Sequence, residues 1–212
     1  MSKAFKLFDA TTRRALDVFD MSAHWYLDCP GTKDDKENKP VYEDMARGGL
    51  VLAVAAMDEY FTRRFTELLI PYLKKKGASK DLALLLSEAG LDVAQALELV
   101  LMDRPLRRVR ALVDTHLDRY TAQRFEAIDA LFRCVGLPTL SDNAQHLAGR
   151  KTLKRSVEIL VERRHAIVHV GDYDKYGHLV ALDFKQFRSR IDDLRTFVAC
   201  ADEIITKVES SL

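Results

Sequence analysis

Two arginines and two histidines fall within seven positions of the stretch "VERRHAIVHVGD", residues 161 to 172. Arg163, Arg164, His165 and His169 lie near the end of a helical pattern that Gly171 is well placed to stop. Imidazole exchanges a proton near neutral pH, and guanidinium is a permanent cation whose donors match phosphate oxygens. These side chains are therefore suited to proton transfer next to a phosphate group.

Helical spacing places Arg164 on an apolar stripe of the predicted helix. The other members of the stripe are Val157, Leu160, Val161 and Val168. A cation at such a position needs an anionic partner, either a carboxylate or a phosphate, because an unpaired buried charge is costly. His165 and His169 are four residues apart and share the adjacent face. The arginine and the two imidazoles are thus expected along one edge of the helix.

Cleavage of RNA without a metal needs this set of groups. A base takes the proton of the 2′-hydroxyl, an acid protonates the departing 5′-oxygen, and a cation stabilises the crowded phosphorane. A structural explanation is also open, in which Arg164 and His169 only cap the helix end or pair with Glu158 or Glu162.

The motif resembles the signature of the HEPN superfamily. Four residues separate Arg164 from His169, and the first of them, His165, is polar. The stretch "IVHVG" then closes the helix. Together with "GLVLAVAAMDEYFTRRF" at 49–65, the motif makes most of the chain similar to the RiboL-PSP-HEPN branch. The resemblance implies a helical bundle that forms a homodimer, in which two motifs meet in one cleft.

The resemblance also implies an activity, that of a metal-independent endoribonuclease leaving 2′,3′-cyclic phosphate and 5′-hydroxyl ends. Such proteins act in microbes as toxins or antiviral effectors, so a neutralising partner protein is expected. The resemblance implies no cofactor. By position, Arg164 stabilises the phosphate, His169 transfers the proton and His165 assists, while Arg163 contacts the RNA backbone. The alternative is a non-catalytic HEPN-like module that binds a partner or a nucleotide.

Two partial metal patterns accompany the motif. His165 and His169 have the spacing of zinc ligands, with His178 as a third candidate, but the Glu of the zinc-protease signature is absent. Residues 172–183 imitate a calcium loop at Asp172 and Asp174, yet the fifth position is Tyr176. We therefore predict no metal site.

Apolar residues recur at three- and four-residue spacing almost throughout, which predicts an all-α, single-domain protein over 1–212. The predicted groups are N-terminal helices in 1–76, middle helices in 79–136, and a motif helix with a C-terminal helix in 150–210. The individual helices are predicted at about 3–27, 42–75, 150–169 and 184–209, with three or four shorter ones between 79 and 136. Residues 28–40 are predicted as a loop, residues 136–149 as a connector with one short turn of helix, and Pro71 as a kink or an end of the second helix.

Charge content limits the classes of partner. Lys plus Arg number 33 and Asp plus Glu 32, for a formal charge of +1, so no global field attracts nucleic acid or an anionic membrane. RNA contacts would have to be local, and the basic runs at 104–110 and 149–155 are candidates, although a solvated surface explains each equally well.

Cys29, Cys134 and Cys200 are odd in number and far apart, which fits a reducing cytoplasm rather than a disulfide framework or a thiolate zinc site. The longest apolar run, at 49–57, is well short of the roughly 20 residues of a membrane helix. We therefore predict a cytoplasmic protein without a membrane span.

Overall fold

The computed structural model describes residues 2–27 and 39–212. Regular structure in these two ranges consists of nine α-helices, which confirms the all-α prediction. They are α1 (Lys3–Leu27), α2 (Lys39–Lys76), α3 (Lys80–Glu88), α4 (Val93–Val100), α5 (Pro105–Leu117), α6 (Phe125–Arg133), α7 (Leu140–Leu147), α8 (Leu153–Val170) and α9 (Phe184–Ser210). Within the same ranges, no helix combines the length and the apolar character needed to cross a bilayer.

The centre of the molecule is built from α1, α2, α8 and α9. α1 and α2 pack along one another, α9 lies against both, and α8 packs on α2 and α9. The approach of α1 to α2 requires a glycine, because a Cβ on Gly49 would lie 2.8 Å from the carbonyl oxygen of Ala15. One cluster of buried apolar side chains extends from α1 to α9 and fixes where α8 lies.

The shorter helices surround this centre. α5 packs on α2 and also contacts α3 and α4, while α6 and α7 pack on each other and α7 reaches α9. The four helices α3 to α6 agree with the three or four predicted between 79 and 136.

Two details of the helices differ from the sequence predictions. The connector predicted at 136–149 contains α7, because Leu140 and Ala144 are buried and the side chain of Asp129 accepts hydrogen bonds from the Ser141 N–H and hydroxyl at 2.8 and 2.6 Å. α2 begins three residues before the predicted start and ends at Lys76, one residue beyond the predicted limit, so Pro71 does not end it. The predicted loop at 28–40 lies outside the described residues except for 39 and 40, which already belong to α2.

Candidate functional site

The motif lies at the C-terminal end of α8, which ends one residue beyond the predicted limit. Gly171 follows the helix with a φ of +65°, a left-handed conformation that glycine adopts without a Cβ clash. The N–H of Asp172 then donates to the carbonyl of Ala166 at 3.1 Å and closes the helix end. This turn holds His169 in the last helical turn, where its side chain is exposed.

The two motif histidines lie against each other on the surface of α8. The ring centroids of His165 and His169 are 4.2 Å apart, with 44° between the ring planes, and both residues are exposed. One small substrate group could therefore be reached by both rings at once. Two imidazoles so placed can supply an acid and a base to one reaction.

A cleft of about 710 Å³ lies in front of these rings, and we call it the histidine cleft. One wall is α8, which contributes Arg164, His165 and His169, and the other is the segment 121–127, which leads into α6. Arg124 on the second wall is exposed and forms no ion pair with any described residue. The histidine cleft thus contains two arginines and two imidazoles.

The wall at 121–127 is held by a residue that the sequence analysis missed. Asp58 of α2 accepts a hydrogen bond from the N–H of Ala122 at 2.6 Å and another from the Gln123 side chain at 2.7 Å. A single Asp in a long amphipathic helix carries no sequence signal for this interaction, because its partners lie more than sixty positions away. Asp58 therefore fixes the backbone beside Arg124 from outside the cleft.

Arg164 lies at the border of two depressions. Besides the histidine cleft, it lines a groove of about 460 Å³ between α2 and α5. Its Nε is buried without a hydrogen-bond partner, and its guanidinium forms no ion pair among the described residues. Glu158 and Glu162, which could have paired with it, lie instead at 3.4 and 3.5 Å from Arg155. Of the two predicted partners of Arg164, a carboxylate or a phosphate, no carboxylate pairs with it in the described part of the chain.

Arg163 also has a buried Nε without a hydrogen-bond partner, but unlike Arg164 it forms an ion pair. Its Nη2 donates to Asp172 Oδ2 at 2.7 Å and to the Val180 carbonyl at 2.8 Å. Arg47 of α2 donates through Nε to the same carboxylate oxygen, also at 2.7 Å, and through Nη2 to the same carbonyl. Asp172 is 1% exposed and Arg47 is 4% exposed. These hydrogen bonds assign Arg163 a role in holding the turn after α8 that the sequence analysis did not predict.

The electrostatics of this network favour its charged state. Burial alone lowers the pKa of Arg47, but the hydrogen bonds and negative charges of Asp172 and, after it, Glu43 together more than offset this effect, so the pKa lies above its ordinary value. We call Arg47, Asp172 and Arg163 the turn network. It joins α2, α8 and the segment after α8, and so fixes the end of the motif helix.

The partial metal patterns are not assembled by the structure. Among the described residues, no group of three or more His, Cys, Asp or Glu side chains is close enough to hold a metal ion. His178 lies 3.7 Å from Asp174, and Asp174 accepts the N–H groups of Tyr176 and His178 in a tight turn. Asp172, the first residue of the calcium-like pattern, is bound by two arginines.

The thiols carry no sign of a reactive site in the described residues. Cys134 is buried and Cys200 half-buried, and both are free, while Cys29 lies outside the described residues. Burial raises the pKa of Cys134 to about 11, so its thiol stays protonated at neutral pH.

The two basic runs differ in their partners. In the run at 149–155, Arg150 pairs with Asp193 at 2.5 Å and Lys154 with Asp142 at 2.6 Å. In the run at 104–110, Arg104, Arg107 and Arg108 are exposed and form no ion pair with any described residue. The second run therefore presents several unpaired cations to solvent.

Comparison with protein-family models, with curated proteins and with solved structures finds no significant match to this chain. The HEPN resemblance accordingly rests on the residues of the motif and their surroundings.

Proposed function

We propose that this protein is a HEPN-type endoribonuclease that cleaves RNA without a metal ion. The observation that carries the proposal is Arg164, a half-buried cation with no partner in the described chain, at the rim of a cleft that presents two touching imidazoles. A protein seldom leaves such a cation unpaired, and a phosphate of the substrate would pair with it.

The proposed reaction is a transesterification at one phosphodiester. The 2′-oxygen attacks the adjacent phosphorus, the P–O5′ bond breaks, and the products carry a 2′,3′-cyclic phosphate and a 5′-hydroxyl. His169 transfers the proton and His165 assists, so that one ring accepts the 2′-hydroxyl proton while the other protonates the departing 5′-oxygen. Arg164 stabilises the additional negative charge on the phosphorane.

Binding is expected to be weak and sensitive to salt. Glu126, Glu158 and Glu162 also line the histidine cleft and offset the charge of Arg124 and Arg164. RNA would therefore be held through few phosphate groups, and added salt would weaken its binding to each of them. The exposed Val168 and Val170 beside the motif would fit the homodimer that the resemblance implies, in which a second copy completes the cleft.

The test is incubation of purified protein with mixed cellular RNA in EDTA, followed by mapping of fragment ends. We expect cyclic-phosphate ends with the wild type and a decrease in rate on the order of a hundredfold or more with His169→Ala. His178→Ala is the matched control, because that histidine is exposed in the turn outside the cleft.

Equal cleavage by wild type and His169→Ala would refute the proposed active site. Intact RNA with a folded wild-type protein would instead favour the HEPN-like interaction module.

A further inference from the structure

One face of α5 lines a depression of about 700 Å³ that is separate from the histidine cleft. Its lining residues from α5 and the turn after it include Arg108, Leu112, Thr115, His116 and Arg119. Successive members of this set are spaced by three or four positions, which places them on one side of the helix. We call this space the α5 depression.

The α5 depression is cationic. Arg108 and Arg119 are exposed and form no ion pair with any described residue, and His116, which lies between them in sequence, is half-buried. Among the described residues, no Asp or Glu lines this depression. The nearby acids Asp114 and Asp118 line the groove between α2 and α5 instead. The walls of the α5 depression therefore favour an anion, and guanidinium groups are well suited to phosphate.

A smaller depression of about 250 Å³ adjoins the α5 depression, since Arg108 and Leu112 line both. Leu91, Leu99 and Met102 also line it, so four of its seven lining residues are apolar. Apolar walls with a few polar groups are typical of sites that bind the ring of a small molecule. We call this space the α4 pocket.

The other polar groups of the α4 pocket belong to α4 and are hydrogen-bond acceptors. The Oε1 of Gln95 is buried without a hydrogen-bond partner, and such an atom costs free energy unless a donor reaches it. Glu98, the one acidic residue of the described chain that lines either depression, follows three positions later on the same side of the helix. Two neighbouring acceptors suit a planar ring with two neighbouring N–H donors. Among the nucleobases, guanine carries such a pair at N1 and N2.

We propose that the α4 pocket and the α5 depression together bind a guanine nucleotide with more than one phosphate. The base lies in the α4 pocket, and its N–H groups donate to Gln95 and Glu98. The phosphate chain runs along α5 from Arg108 toward Arg119. Eleven positions separate these arginines, which is roughly 16 Å at the helical rise of about 1.5 Å per residue, so a chain of phosphates fits better than one phosphate. The inference does not depend on the nuclease.

The first test measures the binding of GTP, GDP and GMP to the purified full chain in EDTA by isothermal titration calorimetry. GTP should bind more tightly than GMP by a factor on the order of ten, because only the longer phosphate chain reaches both arginines. Arg108→Met with Arg119→Met should weaken GTP binding on the order of tenfold or more. Arg104→Met with Arg107→Met is the matched control, because it removes the same charge from exposed arginines that line neither depression. Circular dichroism establishes that each variant is folded.

The second test concerns the base. GTP should bind more tightly than ATP by a factor on the order of ten, because adenine has no second N–H donor beside the first. Gln95→Leu should remove most of this preference and leave the affinity for ATP as in the wild type. A short single-stranded RNA is titrated alongside, because consecutive phosphates of a strand could also meet the two arginines.

Absence of GTP binding to the folded wild type would overturn the proposal. An equal loss of affinity in the two double-arginine variants would do so too, since binding would then respond only to overall charge. Equal affinity for GTP and ATP would refute the position of the base. RNA binding that is lost with Arg108→Met and Arg119→Met, in a protein that does not bind GTP, would assign these arginines to a strand instead of a nucleotide.

Discussion

Arg163 and Arg164 are neighbours in sequence, but they differ in ion pairing. Arg163 is paired with a carboxylate in the turn network, whereas Arg164 lines the histidine cleft and has no ion pair among the described residues. In the turn network, two guanidinium groups share one carboxylate and one carbonyl, and all three charged side chains are largely buried. In the histidine cleft, Arg164 has no ion pair among the described residues and the two imidazoles are exposed. Of two adjacent arginines, one is therefore neutralised within the protein and the other is not.

The difference follows from what surrounds each side chain. Arg163 points toward α2 and the turn, where Asp172 is already placed, so its charge is neutralised inside the protein. Arg164 points toward an open border between two depressions, where a ligand can enter. Closed charge networks hold a structure in one arrangement, whereas open cations near titratable groups are typical of functional sites.

The largest expected effect comes from a substitution that breaks the turn network. Asp172→Ala leaves Arg163 without an ion pair among the described residues and Arg47 with only Glu43 and Asp44, at 3.3 and 3.2 Å. It should lower the free energy of unfolding by about 3–5 kcal/mol, because it removes the buried carboxylate that both guanidinium groups share. Urea denaturation of wild type and variant measures the decrease. Asp174→Ala is the control two positions away, because that carboxylate is more exposed and serves only a local turn. A decrease no greater than that of Asp174→Ala would contradict the structural role of Asp172.

A substitution of the same type at the two adjacent arginines sharpens the comparison. Arg163→Met should lower the free energy of unfolding by about 2 kcal/mol, because it removes hydrogen bonds between charged groups. Arg164→Met should leave stability within about 0.5 kcal/mol and reduce RNA cleavage on the order of a hundredfold.

Thermal unfolding and a cleavage assay on the same two preparations provide both readings. The comparison fails if the two variants are destabilised equally, or if cleavage falls only with Arg163→Met.

The smallest effect concerns a second closed network, around Arg64. Tyr60 is 1% exposed and its hydroxyl donates to Asp202, which also pairs with Arg64 at 3.2 Å. Burial, followed by the charge of Asp202, raises the pKa of Tyr60 well above its usual value. The folded protein therefore keeps this phenol proton to higher pH than the unfolded chain does.

The stability that comes from this shift is present below about pH 10 and disappears as the pH rises above that value. Tyr60→Phe should cost about 1 kcal/mol at neutral pH, because it removes a hydrogen bond, and should flatten the alkaline decline. Urea denaturation at several pH values from about 7 to about 11 tests this, with the exposed Tyr173→Phe as control. An alkaline decline as steep as that of the wild type would show that Tyr60 does not cause it.

Some of these features were predictable from sequence because they are local. The limits of α1 and α9 and the C-terminal limit of α8 follow from apolar spacing and from Gly171, whereas α8 starts three residues later than predicted. The proximity of His165 to His169 follows from their separation by one helical turn. α7 was predicted only as one short turn because its polar exposed face outweighs a few buried residues. Its first turn is bound by Asp129, twelve positions before Ser141.

The sequence by itself determined that the chain is helical and that Arg and His groups gather at the end of one helix, because both depend on spacing within a few turns. Only the tertiary structure decided which of the two arginines is neutralised. That outcome depends on the left-handed turn at Gly171 and Asp172, after which the Asp172 carboxylate meets Arg163 nine positions earlier in the chain. It also depends on Arg47, which reaches the same carboxylate from 125 positions away. Interactions over such distances in sequence arise from packing, and no local pattern encodes them.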